Sequence, residues 1–194
     1  MSRWFLLVAL LGACRSASPH YYTLVASPTD AAAPTNEIQL DVLPVDVPAD
    51  VDRNEIVVRT GGGEVSPVDT RQWIAPLSRE IRHAFADDLT QLLGARDIAG
   101  VTASAGIPTF RVKLAVRRFD SLLGQRAVIE AVSTVHDTSS DAATLVCSHR
   151  VSETATAGYA GIAEAHQRAL ATIAKQVAES VRSIRAGAPA CATP

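Results

Sequence analysis

Phe110-Arg111-Val112-Lys113-Leu114-Ala115-Val116-Arg117 decides the fold class. Phe110, Val112, Leu114 and Val116 face one way, while Arg111, Lys113 and Arg117 face the other. Successive side chains of a strand point to opposite faces, so this alternation marks a strand with one buried and one wet face. Downstream, residues 127–137 and 143–154 keep strand character at hairpin spacing, with 137–141 as the turn. From Tyr159 the period lengthens. Ile162, Leu170, Ile173, Val177, Val181 and Ile184 recur at helical spacing up to Arg185, and Gly187 and Pro189 stop the run.

Upstream the same change of period occurs once. Leu77, Ile81, Phe85, Leu89 and Leu92 form an apolar stripe that begins after Pro76 and ends before Gly94, which suits a C-terminal cap. Ahead of that helix lie strand candidates at 20–26, 37–47, 55–59 and 64–66, the last two joined by a Gly61-Gly62-Gly63 turn. Residues 27–36 read as a polar, Pro-containing loop. In 37–47, Ile38, Leu40 and Val42 oppose Gln39 and Asp41, and Pro44 and Pro48 confine the run to an edge or a strand end. A further short strand is expected near Val101. The order predicts one α+β domain over residues 20–187: a largely antiparallel sheet with two long helices packed on one face. Residues 188–194 form a C-terminal tail.

A chain of 194 residues fits one such domain. Its 18 Lys+Arg against 20 Asp+Glu give a net charge of −2, so no extended nucleic-acid surface is expected. Aromatics at 5% argue against a stacking platform for single strands, and 47% hydrophobic residues suffice for a core.

The chain starts Met1-Ser2-Arg3, runs apolar from Trp4 to Leu11, and reaches Gly12-Ala13-Cys14. A basic start, a short apolar run and small residues make an export signal, too short to span a bilayer. Leu11-Gly12-Ala13-Cys14 matches the bacterial lipobox, which predicts a signal peptide over residues 1–13 and lipidation of Cys14. Arg15 follows, where an Asp would favour inner-membrane retention, so the expected location is the periplasmic leaflet of the outer membrane. Residues 14–19 then form the lipidated cysteine and a tether, of which the five residues 15–19 reach roughly 17 Å fully extended. The remaining cysteines, Cys147 and Cys191, are an even pair in a disulfide-permissive compartment. Two readings stay open for them, a bridge that positions the tail or two free thiols.

Catalytic patterns are weak. Gly61-Gly62-Gly63 lacks the Lys-Ser/Thr of a phosphate loop, and no G-x-S-x-G elbow occurs. His136, Asp137, Ser139 and Ser140 crowd one expected hairpin tip, whereas a triad is assembled from separated positions around a pocket. His83, His166 and His149 read as surface or boundary residues, and Asp87 and Asp88 point to different azimuths of their helix. No Cys or His pair has metal-ligand spacing. The expectation is a non-enzyme with no catalytic residue, metal or cofactor. Two surfaces are candidates for a partner instead: the connection with Pro48, Asp50, Asp52 and Arg53, and the basic row Arg111, Lys113 and Arg117.

Several segments, taken in order, resemble the PqiC/YmbA-like family of ABC-transport auxiliary lipoproteins. These are Tyr21-Tyr22-Thr23-Leu24 after the lipobox, the block from Val47 to Arg59 containing Pro48, Asp52-Arg53 and Ile56-Val57-Val58-Arg59, and Trp73-Ile74-Ala75-Pro76-Leu77. Arg118-Phe119-Asp120 and a helix-ending stretch from Tyr159 complete the set, and Ile74 departs from the more usual Ala. The resemblance implies a membrane-anchored partner of an MCE-domain protein in an inner-membrane lipid-transport system, and leaves a homo-oligomeric ring open. The rival from another class is a lipoprotein regulator that binds a cell-wall synthase, which a tether this short disfavours.

Overall fold

The computed structural model describes residues 18–25, 37–139 and 144–192. The expected signal peptide, Cys14 and the loop 27–36 lie outside them. The architecture is α+β, with two helices against a mixed, mostly antiparallel set of strands. The strands are β1 (His20–Tyr22), β2 (Gln39–Val42), β3 (Glu55–Gly61), β4 (Glu64–Trp73), β5 (Arg96–Asp97), β6 (Thr109–Leu122), β7 (Arg126–Asp137) and β8 (Leu145–Thr154). Helix α1 (Leu77–Leu93) follows β4, and α2 (Gly158–Arg185) follows β8.

A five-stranded sheet has the order β5-β2-β6-β7-β8, and a three-stranded sheet the order β1-β4-β3. The long strands are antiparallel, β6 with β7, β7 with β8 and β3 with β4. The short ones are parallel: β1 on β4, and β2 on both β5 and β6. Residue alternation sets the layers. Phe110, Val112, Leu114 and Val116 are buried, and so are Ile81, Phe85 and Leu89 of α1 and Leu170, Ile173, Val177 and Val181 of α2. These side chains join in one core between helices and sheet, completed by Trp73, Ile38 and Leu40.

Several expectations need correction. The strand expected near Val101 is β5, immediately after the left-handed cap at Gly94. Val101 itself is exposed. The run around Leu40 is not an edge, because β5 covers its outer side, and the prolines only end it. Past Ser66, β4 continues to Trp73. Leu92 lies beyond the core and is exposed. As the sequence suggested, Gly62 and Gly63 make the β3–β4 turn, both with positive φ.

Candidate functional site

The alternation of β6 breaks at one point. Val116 pairs with Ala131 and Arg118 with Glu130, so Arg117 is an extra residue opposite no partner. Such a bulge twists a strand and re-aims its side chains. Here it exposes Arg117 and Arg118 consecutively and turns Phe119 and Ser121 inward. Beside it opens a cleft of about 430 Å³, bounded by Pro48, Asp50 and Val51, by Val57, Arg59 and Val65 of the β3–β4 hairpin, and by residues 117–121 with Glu130.

A ladder of charges crosses this cleft. Asp120, buried, accepts from Arg59 Nη2 at 2.9 Å on Oδ1 and from Arg118 Nε at 2.5 Å on Oδ2. Arg118 reaches on to Glu130 at 3.4 Å, and Arg150 meets the same Glu130 oxygen at 3.3 Å. Burial alone would push the Asp120 carboxyl up; hydrogen bonds from Arg59 and Arg118, reinforced by their charges, prevail and hold it below the ordinary value. Two donors are left over. Arg59 Nε is buried with no partner, and Arg117 has no ion pair or hydrogen bond among the described residues.

Beneath the cleft lies an aromatic layer. The His166 ring stacks on Phe119 with centroids 3.8 Å apart, and Trp73 stands edge-on to both. Ser121 Oγ and His166 Nε2 share a 2.9 Å hydrogen bond, while Nδ1 has no partner. Burial pushes this imidazole down to about 3, so it is neutral at any ordinary pH. His149 is also buried. Its Nδ1–H donates to Gln176 Oε1 at 2.7 Å, which leaves Nε2 to accept from Ser133 Oγ at 2.8 Å. Burial lowers this pKa too. The expectation of surface or boundary positions is therefore corrected for His166 and His149, whereas His83 is exposed. The Ser133–His149–Gln176 chain has the atoms of a relay, but Ser133 is fully buried.

The expected partner residues separate. Asp52 Oδ1 accepts the Ser78 backbone N–H at 2.9 Å and so caps the start of α1 from a distant loop. Among the described residues Arg53 pairs only with Glu55, at 3.9 Å. Pro48 and Asp50 line the cleft. In the basic row, Arg111 meets Asp41 and Lys113 meets Asp46, each at 2.8 Å. Arg117 alone joins Asp50 at the cleft. Cys147 and Cys191 form a disulfide with Cα atoms 5.6 Å apart, and Ala190 N–H donates to Ser183 Oγ at 3.0 Å, so the tail is fixed to β8 and α2. Arg59, Arg118, Asp120 and Glu130 were not singled out as a site. The available signal was the Arg117-Arg118 doublet, which interrupts an otherwise strict alternation.

A family model described as ABC-type transport auxiliary lipoprotein component matches residues 22–178. Among curated proteins none matches. The crystal structure of an uncharacterized protein superposes with TM-score 0.67 at 17% identity, covering 85% of this chain and 99% of that one. A crystal structure from Xanthomonas campestris gives 0.65 at 16% identity, covering 88% of this chain and 99% of that one. At these identities the likeness is one of fold. A PelC dodecamer from Paraburkholderia phytofirmans reaches only 0.43 at 12% identity, covering 81% of this chain and 89% of that one, and its assembly stays a property of that protein.

Proposed function

The chain belongs to the ABC-type transport auxiliary lipoprotein family, a non-catalytic component of transport systems, and from that premise we propose how it works. Residues 1–13 are removed as a signal peptide, and acylated Cys14 anchors residues 20–187 to the periplasmic leaflet of the outer membrane. There the domain docks an MCE-domain protein that belongs to an inner-membrane transport system.

One observation carries this reading: residues 22–24 are tied into the core. Tyr22 O accepts from Ile74 N–H at 2.8 Å. Glu80, buried in α1, accepts from Thr23 Oγ1 at 2.8 Å and from Leu24 N–H at 2.9 Å, and Gln167 of α2 donates to Thr23 O at 2.9 Å. β1 is paired to β4 from His20 onward, so only residues 15–19 separate it from Cys14, roughly 17 Å at full extension. A domain held so close to its own membrane suits a receiver of a partner that crosses the periplasm. It does not suit a reach across that space. Stable anchoring by two or more acyl chains fits the same role.

Fractionation tests the anchor: Cys14→Ala is expected to leave the outer-membrane pellet, and a variant that still pellets like the wild type overturns lipid anchoring. Co-purification tests the docking, for which the turn carrying Asp50 and Arg53 is the proposed contact. Arg53→Glu breaks only a long ion pair and should fold normally. Retained binding by that folded variant moves the interface elsewhere.

A further inference from the structure

We propose that the Cys147–Cys191 bridge closes in one order: Cys191 meets the oxidant, a molecule carrying a disulfide of its own, and Cys147 then resolves the mixed disulfide. The two sulfurs are placed unequally. Cys147 is 2% exposed and lies on the inward side of β8, in the buried row with His149 and Val151. That row faces α2. His149 bonds Gln176, and Cys147 Sγ lies 3.7 Å from Ser180 Oγ, one turn further along the helix. Ser180 is itself fully buried. Cys191 is exposed, and its Sγ lies 3.4 Å from Val146 O at the outer edge of the sheet. The tail does not depend on the bridge alone for its position. Gly187, with φ 73°, turns the chain off the end of α2, and its N–H donates to Ile184 O at 3.0 Å. Ala188 N–H donates to Ser183 O, and Ala190 N–H to Ser183 Oγ, each at 3.0 Å. These contacts hold Cys191 over Cys147 in the reduced chain as well.

Thiol–disulfide exchange sets what this placement allows, because a thiolate must reach a disulfide sulfur and pass through a mixed disulfide. In the first step the Cys191 thiolate attacks one sulfur of the oxidant, and the other sulfur leaves as a thiolate. In the second, Cys147 gives up its proton, which the released thiolate takes up, and attacks Cys191 Sγ from beneath. The bond from Cys191 to the oxidant breaks, and the second thiolate leaves outward into solvent. Two protein thiols are thereby oxidised to one disulfide, and the oxidant's disulfide is reduced to two thiols. The reverse order would put the body of the oxidant on Cys147, beside Ser180 and under the tail. Its leaving group would then have to depart away from Cys191, toward the buried side of β8. Access, not residue type, distinguishes the two thiols.

Glutathione disulfide added to the reduced full chain in native buffer tests the order. Samples are quenched with acid and mapped by peptide mass spectrometry, which counts Cys14 apart. In the wild type the intermediate should carry glutathione on Cys191 at least about tenfold more often than on Cys147. Cys147→Ala should accumulate the Cys191 adduct, since nothing resolves it. Cys191→Ala should form its Cys147 adduct at least about tenfold more slowly, through local opening only. In concentrated guanidinium chloride the two variants should react at similar rates, which assigns the difference to the fold. Either measurement alone decides, because the wild-type intermediate needs no substitution and the variant adducts need no trapping. Glutathione found mainly on Cys147 in the wild type, or equal rates for the two variants in native buffer, overturns the proposal. A tenfold difference that persists in guanidinium overturns it as well, because it then belongs to the local sequence.

Discussion

Strand β6 carries basic side chains on both sides of its bulge, and they meet different neighbours. Ahead of the bulge, Arg111 and Lys113 lie alongside β2 and its continuation, which runs parallel and supplies Asp41 and Asp46. That continuation ends at the bridge between Asp46 and Ala115. Beyond it the side of β6 faces β3, which brings Arg59, another base, where β2 had brought acids. Asp120 must then serve two guanidiniums at once, and Arg117 is left with no acid among the described residues. One strand thus has an edge of one-to-one ion pairs at one end and, at the other, a recess in which Arg59 and Arg118 share Asp120 while Arg117 stands apart from the ladder. An exposed basic row acquires its meaning from the strand beside it.

The largest expected effect breaks the comparison at its buried carboxylate. Asp120→Asn leaves Arg59 and Arg118 without their shared charge partner and should cost about 3 kcal/mol, at the low end for a buried pair because both guanidiniums reach solvent. Asp46→Asn removes an exposed partner of Lys113 and should cost under about 1 kcal/mol. Urea unfolding of the two variants measures the difference directly. Similar costs at both positions would mean that the two ends of β6 are energetically alike.

Acid should act on the cleft end first. His166 is held down to about 3 by burial, so between the ordinary histidine value and that value the unfolded chain takes up a proton that the folded chain refuses. The His166 contribution is then intact above about pH 6.5 and falls as pH drops through that window, its own share of the slope approaching 1.4 kcal/mol per pH unit, about one proton's worth. Asp120, held below its ordinary value, works in the same direction at the acid end of the window: its contribution is present above about pH 3.8 and is lost as pH falls further. Burial lowers His149 in the same sense, and Asp88, raised to about 6 by burial, opposes both below that pH. Stability from unfolding curves at pH 7 to 4 should therefore fall less steeply with acid in His166→Leu than in the wild type. A slope that the substitution leaves unchanged assigns the effect to other groups.

Long strands and helices were legible because each repeats its period many times: β6, β7, β8, α1 and α2 all lie close to where alternation or the apolar stripe placed them. A two-residue parallel strand such as β5 has no period to read. The hidden half of β4 contains Pro67 and Asp69, which look like loop, yet it forms pairs with β3 on one side and β1 on the other. His166 was readable in principle, since it falls four residues after Ile162 and four before Leu170, on the buried stripe of α2. Its residue type concealed its position. Cys147 and Cys191 were matched by parity and compartment alone, and the bridge formed between them joins a strand to the tail. The cleft was not legible, because Arg59 and Asp120 are 61 residues apart and nothing local links them. The Asp52 cap on Ser78 hid in the same way, at a separation of 26.

The smallest effect sharpens the comparison most. Arg111 and Asp41 touch at 2.8 Å, with Asp41 largely covered, so a double-mutant cycle through Arg111→Ala and Asp41→Ala should return a coupling of about 0.2–1 kcal/mol. The corresponding cycle at the other end pairs Arg117→Ala with Glu130→Ala. Both residues line the same cleft, but Glu130 spends its Oε1 on Arg118 and Arg150, and Arg117 reaches no acid. The expected coupling there is zero within about 0.3 kcal/mol, and Glu130→Ala alone should cost under about 1 kcal/mol, because the two arginines it releases are exposed. A measurable favourable coupling would put Arg117 inside the ladder. Zero coupling, with Arg117→Ala as stable as the wild type, leaves a cation that the fold keeps at no benefit to its own stability.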